Sequence, residues 1–114
     1  MQNRSFITDE EIDRALDFLR DNAREAAQAR ADRIYVTEYR KYLKATLMKE
    51  HGGLSAVLQE REAYSDPRYL VHLEAIREAV RADAQHEFLK DAAEAKIEAW
   101  RTQSSNNRGM EKVR

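Results

Sequence analysis

Hydrophobic positions recur every three or four residues along most of this chain, which is the spacing of one face of an α-helix. A first run of this kind extends from residue 8 to about residue 50. A short second run covers residues 54–64, and a third covers residues 67 to about 102. We therefore predict three helices and an all-α fold.

The start of the first helix is well specified. Thr8 is a good N-cap and Glu11 follows three residues later, which makes a capping box. Ile7 and Ile12 stand where a hydrophobic staple would place them. The end is equally clear, because Gly52-Gly53 cannot easily continue a helix.

Two further segments set the predicted boundaries. Residues 34–37 are rich in β-branched and aromatic side chains, so we expect a kink or a division of the first helix near Tyr35. Asp66 is the expected cap of the third helix and Pro67 its first residue, and no further Gly or Pro follows until Gly109. From Gln103 onwards Ser, Asn and Arg dominate. We therefore predict one domain over 1–102 and a flexible basic tail over 103–114.

The apolar residues of this chain are mostly small. Seventeen of the 114 residues are alanine, so the predicted helices can approach closely but bury little area. A thin core of this kind is often completed by a second chain. We predict an elongated antiparallel helical hairpin with a short connecting helix, completed as a dimeric bundle of the coiled-coil type.

The charge is uneven although the net charge is only −1. Residues 33–49 carry five cations against Glu38, and this segment also contains three tyrosines. Cations neutralise phosphates, and tyrosines stack on unpaired bases, so the segment is a candidate surface for DNA, single-stranded in preference. The alternative is an amphipathic helix with tyrosines in the core and a solvated basic rim. The candidate residues are Arg33, Tyr35, Tyr39, Arg40, Lys41, Lys44 and Lys49.

The C-terminal end adds a second set of candidates. Arg101 and Arg108 belong to a stretch that also contains Lys112 and Arg114, and these would add phosphate contacts. The alternatives are a disordered terminus without a binding role and a peptide that folds when it binds a partner. Trp100 is the only Trp of the chain. We expect it either to close the end of the hydrophobic face or to bind a partner protein.

No catalytic signature is present in the sequence. It lacks Cys, a Gly-rich phosphate loop, a nucleophile elbow and a His-Glu-x-x-His motif. Asp83 and His86 have a spacing used in di-metal helix bundles, but such sites need a second motif and further Glu ligands. We expect a protein that is not an enzyme, binds no metal or cofactor, and carries its histidines on the surface.

Residues 92–108 resemble the end of small helical proteins encoded by tailed bacteriophages and prophages. The resemblance covers about residues 69–110 and is most evident in Trp100-Arg101-Thr102-Gln103, the Ser/Asn run and Arg108. It implies an accessory protein that acts on DNA metabolism or on a host defence, in the cytoplasm of a bacterial host. No functional residue can be carried over from it.

Three functions follow as hypotheses. The first is a phage-type accessory protein that binds nucleic acid or assists DNA replication or recombination. The second is an adaptor or inhibitor of a host enzyme, which would use the acidic surface of residues 50–100, where the net charge is −5. The third is a structural component of a particle. No 18-residue apolar stretch exists, so we expect no membrane span.

Overall fold

The protein is described here by a computed structural model, which covers residues 6–113 and the side chains of residues 6–110. Three helices account for most of this part: α1 over Asp9–Lys49, α2 over Ala56–Ser65 and α3 over Pro67–Val113. No strand occurs within residues 6–113. The predicted all-α class is therefore confirmed.

The first helix begins where the capping box places it. The Thr8 hydroxyl accepts a hydrogen bond from the backbone N–H of Glu11 at 3.2 Å, and Ile12 is buried. Residues 34–37 lie inside a continuous α1, so the division expected as one outcome near Tyr35 is wrong, and the kink stays a prediction. The Thr37 hydroxyl donates to the carbonyl of Arg33 at 2.7 Å, which satisfies this β-branched residue inside the helix.

Polar side chains cap the starts of both α2 and α3. Ser55 caps α2 by accepting from the N–H of Leu58 at 3.4 Å. Asp66 accepts from the N–H of Arg68 at 2.8 Å, and Pro67 is the first residue of α3. The missing N–H of Pro67 costs nothing there, because the first N–H groups of a helix have no partner within it. The prediction that Asp66 caps α3 and that Pro67 is its first residue is therefore confirmed.

The C-terminal end of α3 differs from the prediction. The helix does not end at about Thr102 but continues to Val113. Gln103 offers a physical reason, because its side chain bonds to both the N–H and the carbonyl of Ile7, at 2.7 and 2.9 Å. Gly109 lies inside the helix, at a cost of only about 1 kcal/mol. The division into a domain over 1–102 and a flexible tail over 103–114 stays a prediction.

The chain forms two compact units, and both long helices contribute to each. In the described part of the first unit, residues 6–26 of the N-terminal side pack with residues 86–113 of α3. The later a residue lies in the first segment, the earlier its partner lies in α3. Ile7 contacts Gln103, Asp9 contacts Trp100, and Asn22 contacts His86. Glu11 is 6% exposed in this unit, with Lys96 Nζ 4.0 Å from its Oε2.

The second unit comprises Ala27–Gln85 and contains the end of α1, all of α2 and the start of α3. Leu47 is 1% exposed and Ala63 is fully buried, so the most buried residues of this unit lie near the ends of α1 and α2. Arg33 Nε donates to Asp83 Oδ2 at 2.5 Å, and Arg30 lies 3.5 Å from the same carboxylate. These pairs join α1 to α3.

Buried apolar side chains are few. Among the described residues only five hydrophobic side chains are buried, and three of them are alanines. The five are Ile12, Ala15, Leu47, Ala63 and Ala93. Within residues 6–113 no helix is both long and apolar enough to cross a bilayer.

Candidate interaction surfaces

Three tyrosines of α1 form a row of rings, which we call the tyrosine ladder. Tyr35 and Tyr39 are stacked with ring centroids 6.2 Å apart, and Tyr39 and Tyr42 are 5.3 Å apart. Tyr35 and Tyr42 are 68% and 63% exposed. These side chains therefore lie on the surface, and the alternative that they form the core is wrong.

His72 of α3 fixes the middle of the ladder. Its ring lies 5.3 Å from that of Tyr39, and its Nε2 is 2.7 Å from the carbonyl oxygen of Val36. Because a carbonyl can only accept, Nε2 carries the proton of this bond. Tyr39 is the least exposed of the three tyrosines, at 38%. The ladder is thus one supported ring between two more exposed rings.

The predicted cations do not gather around these tyrosines. Successive residues of a helix turn by about 100°, so the three tyrosines share one side of α1 and Arg33, Arg40 and Lys44 lie on the opposite side. Lys49 falls on the tyrosine side, two turns beyond Tyr42. The structure therefore separates most of the predicted cations from the rings.

Several of these cations already have anionic partners. Arg33 bonds to Asp83, Lys41 lies 3.2 Å from Glu38, and Lys44 lies 3.3 Å from Glu60. Arg101 lies 3.5 Å from Glu98. The remaining candidates with described side chains are exposed, and these are Arg40, Lys49 and Arg108. Lys112 and Arg114 lie outside the described side chains.

Lys44 of α1 is held by two side chains of α2. Its Nζ lies 4.7 Å from the centroid of the Tyr64 ring as well as near Glu60 of α2. Tyr64 and, to a smaller extent, Glu60 raise the pKa of Lys44. This lysine joins α1 to α2, and a ligand would have to compete with both partners for it.

Three charged side chains fix the start of α3: Arg68, Asp66 and Glu50. Arg68 donates to both carboxylate oxygens of Asp66 and to Glu50 at 3.0 and 2.5 Å. Hydrogen bonds from Arg68 lower the pKa of Asp66 to about 2 and also lower the pKa of Glu50. The arrangement links the residue after α1 to the first turn of α3.

Trp100 lies at the end of the first unit. Its Nε1 donates to Asp9 Oδ1 at 3.3 Å, and its ring is half-buried. These contacts fit a residue that closes the apolar face, and a role in binding a partner stays a prediction. An open cleft of about 520 Å³ lies nearby, with Phe6, Glu11, Thr102 and Gln103 among its lining residues.

Two histidines are half-buried and have specific partners, so the expectation of simple surface histidines holds for them only in part. His72 supports the tyrosine ladder, and His86 Nδ1 lies 3.0 Å from Asn22 Nδ2. Asp83, which spacing paired with His86, instead binds Arg33. Within the described residues no group of three or more His, Asp or Glu side chains is placed to hold a metal ion. Periodicity could not find these partners, because each is at least 36 residues distant in sequence.

Exposed apolar side chains are the largest surface feature of the second unit. Twelve large apolar side chains of this unit are exposed, against two buried hydrophobic residues. In and just before α2, Leu54, Val57, Leu58 and Tyr64 are exposed, whereas Ala63 is fully buried; Val57 is 77% exposed.

Comparison with known proteins adds no relative: no family model, curated protein or solved structure matches this chain.

Proposed function

We propose that this chain is a non-enzymatic helical interaction protein that acts as a homodimer, in which helical hairpins from two copies form one bundle. The observation that carries the proposal is the excess of large apolar side chains on the surface. Among the described residues seventeen such side chains are exposed, whereas only five hydrophobic residues are buried. Exposed apolar side chains that gather into a large patch are typical of a binding face.

The target of the dimer is, we propose, a host or phage protein with a basic surface. Residues 50–100 carry a net charge of −5, and α1 begins with Asp9, Glu10 and Glu11. Complementary charge of this kind speeds association and selects partners. The resemblance of residues 69–110 to phage proteins favours an accessory role of this type, such as inhibition of a defence enzyme.

Sedimentation equilibrium over a hundredfold range of concentration tests the homodimer. We expect a mass of twice 13.3 kDa at micromolar concentration. A mass of one chain at every concentration would overturn the proposal. Larger closed assemblies would instead favour a structural component of a particle.

Nucleic-acid binding is the second candidate, and the tyrosine ladder is what favours it. Exposed rings supported from behind are the arrangement on which unpaired bases stack, at about 1–3 kcal/mol for each base. The separation of the ladder from Arg33, Arg40 and Lys44 weakens this candidate relative to the first, because phosphate contacts supply most of the affinity.

Fluorescence anisotropy with labelled single- and double-stranded oligonucleotides tests this candidate. If the ladder binds bases, Tyr35→Ala with Tyr42→Ala should lower the affinity for single strands at least tenfold. Phe88→Ala is the matched control, since Phe88 is an aromatic residue that is 71% exposed but lies outside the unit that contains the ladder. Absence of binding by the unmodified protein at low salt would retire the candidate.

A further inference from the structure

One side of α3 carries a mainly apolar row, and its three large apolar side chains are exposed. We call it the α3 stripe. Leu70 is 61% exposed, Leu73 38% and Val80 45%, although all three are apolar. The stripe consists of Leu70, Leu73, Arg77, Val80 and Ala84.

The spacing of the stripe is that of a coiled coil. Its members follow one another at steps of three, four, three and four residues, which is the heptad pattern of a helix that packs along another helix. The stripe is about 21 Å long, because each residue of a helix adds about 1.5 Å. A polar residue, Arg77, occupies one of its positions, as often happens where a coiled coil specifies its register.

The stripe is separate from the face that α3 uses within its own unit. That face contains His72, Ile76 and Asp83, which are half-buried, and His72 and Asp83 contact α1. At about 100° for each residue, the centre of the stripe lies about 100° around the helix from this face. Packing inside the second unit therefore leaves the stripe available to another chain.

We infer that a second copy of this chain covers the α3 stripe, with the two α3 helices antiparallel about a two-fold axis near Ala75. This inference rests on the proposed homodimer and specifies its interface. In this register Leu70 faces the partner's Val80, and Leu73 faces the aliphatic stem of the partner's Arg77. A two-fold axis repeats both layers, so one short stripe supplies four layers of packing.

Charge decides between the antiparallel and the parallel arrangement. Glu74 and Arg77 lie beside the axis and are 3.7 Å apart within one helix. In the antiparallel register Glu74 lies next to the partner's Arg77 on both sides of the axis. In a parallel register Arg77 would face the partner's Arg77, and like charges at that position repel.

The first test replaces one stripe residue and compares it with a matched control on the same helix. Leu73→Glu places a charge in the interface and should weaken the dimer at least a hundredfold in sedimentation equilibrium. Val71→Glu is the control, because Val71 is 69% exposed but lies on the other side of α3. It should leave the mass unchanged. Circular dichroism checks that both variants remain helical.

The outcomes separate the interface from the homodimer itself. A monomeric unmodified protein would overturn the proposed function. A dimeric unmodified protein with a dimeric Leu73→Glu variant would overturn only the α3 stripe as its interface. Loss of the dimer in Val71→Glu as well would also overturn it, because the effect would not be specific to the stripe.

The second test uses surface charges that do not endanger folding. Arg77→Glu places four acidic side chains around the axis, and the dimer should weaken about tenfold at low salt. Adding Glu74→Arg to the same chain exchanges the two charges and should restore the affinity. Failure of the double variant to recover would overturn the antiparallel register.

Discussion

At the scale of single residues, Asp66 shows what local sequence can and cannot specify. Its role as the cap of α3 could be predicted, because Asp followed by Pro is a strong start signal and the structure has its carboxylate on the N–H of Arg68. The bond between Arg68 and Glu50 could not be predicted, since Glu50 is 18 residues away in sequence. A cap is a local property, whereas an ion pair between elements depends on the fold.

The lowered pKa of Asp66 predicts how the stability depends on pH. Its pKa is about 2 in the folded protein and 3.8 ordinarily, so its stabilising effect is complete above about pH 4 and is lost as the pH falls towards 2. Asp66→Asn keeps a capping side chain but removes this titration. We expect urea unfolding between pH 5 and pH 2 to show a shallower loss of stability in the variant.

The control for this experiment is Glu62→Gln, which removes an exposed carboxylate of α2. It should leave the slope of stability against pH close to that of the unmodified protein. Equal slopes for the unmodified protein and Asp66→Asn would contradict the assignment of the low pKa to Asp66.

At the scale of elements, the starts of the helices could be predicted better than the end of α3. Thr8 and Asp66 are specific polar caps, and each start lies within a residue of its prediction. The Ser/Asn-rich composition after Thr102 suggested a tail because these residues have low helix propensity. Tertiary contact reverses this weak preference, since Gln103 binds the backbone of Ile7. Low propensity costs only a few tenths of a kcal/mol for each residue.

The Gln103 contact predicts a local effect on the end of α3. Gln103→Ala removes two hydrogen bonds worth about 1 kcal/mol each, so amides from 104 to 110 should exchange with solvent up to roughly thirtyfold faster. Hydrogen exchange measured by mass spectrometry would detect this change. Gln85→Ala is the matched control, because Gln85 lies on the same helix and bonds only to the exposed Arg81. Unchanged exchange in Gln103→Ala would mean that the helix end is stable without this contact.

At the scale of the whole molecule, composition predicted the character of the core but not the placement of the surface residues. Seventeen alanines indicated a thin core, and three of the five buried hydrophobic residues described are alanines. The tyrosines and cations of residues 33–49 were predicted to share one surface because they are interleaved in sequence. A helix distributes neighbouring residues around its axis, and ion pairs with α2 and α3 then engage two of the cations, Arg33 and Lys44.

A thin core has a consequence for the stability of the folded chain. If two copies fold together, unfolding also separates them, so the melting temperature must rise with protein concentration. With about 2 cal/mol/K of unfolding entropy for each residue, a tenfold rise in concentration should raise the melting temperature by about 3 °C.

If the α3 stripe is the interface, a change of one stripe side chain should remove the dependence of the melting temperature on protein concentration. Leu73→Glu should melt at a lower temperature and lose the dependence on concentration, whereas Val71→Glu should keep it. Differential scanning calorimetry at three concentrations would measure both properties. A melting temperature of the unmodified protein that does not change with concentration would mean that each chain folds alone. The exposed apolar side chains would then have to be covered by a different molecule.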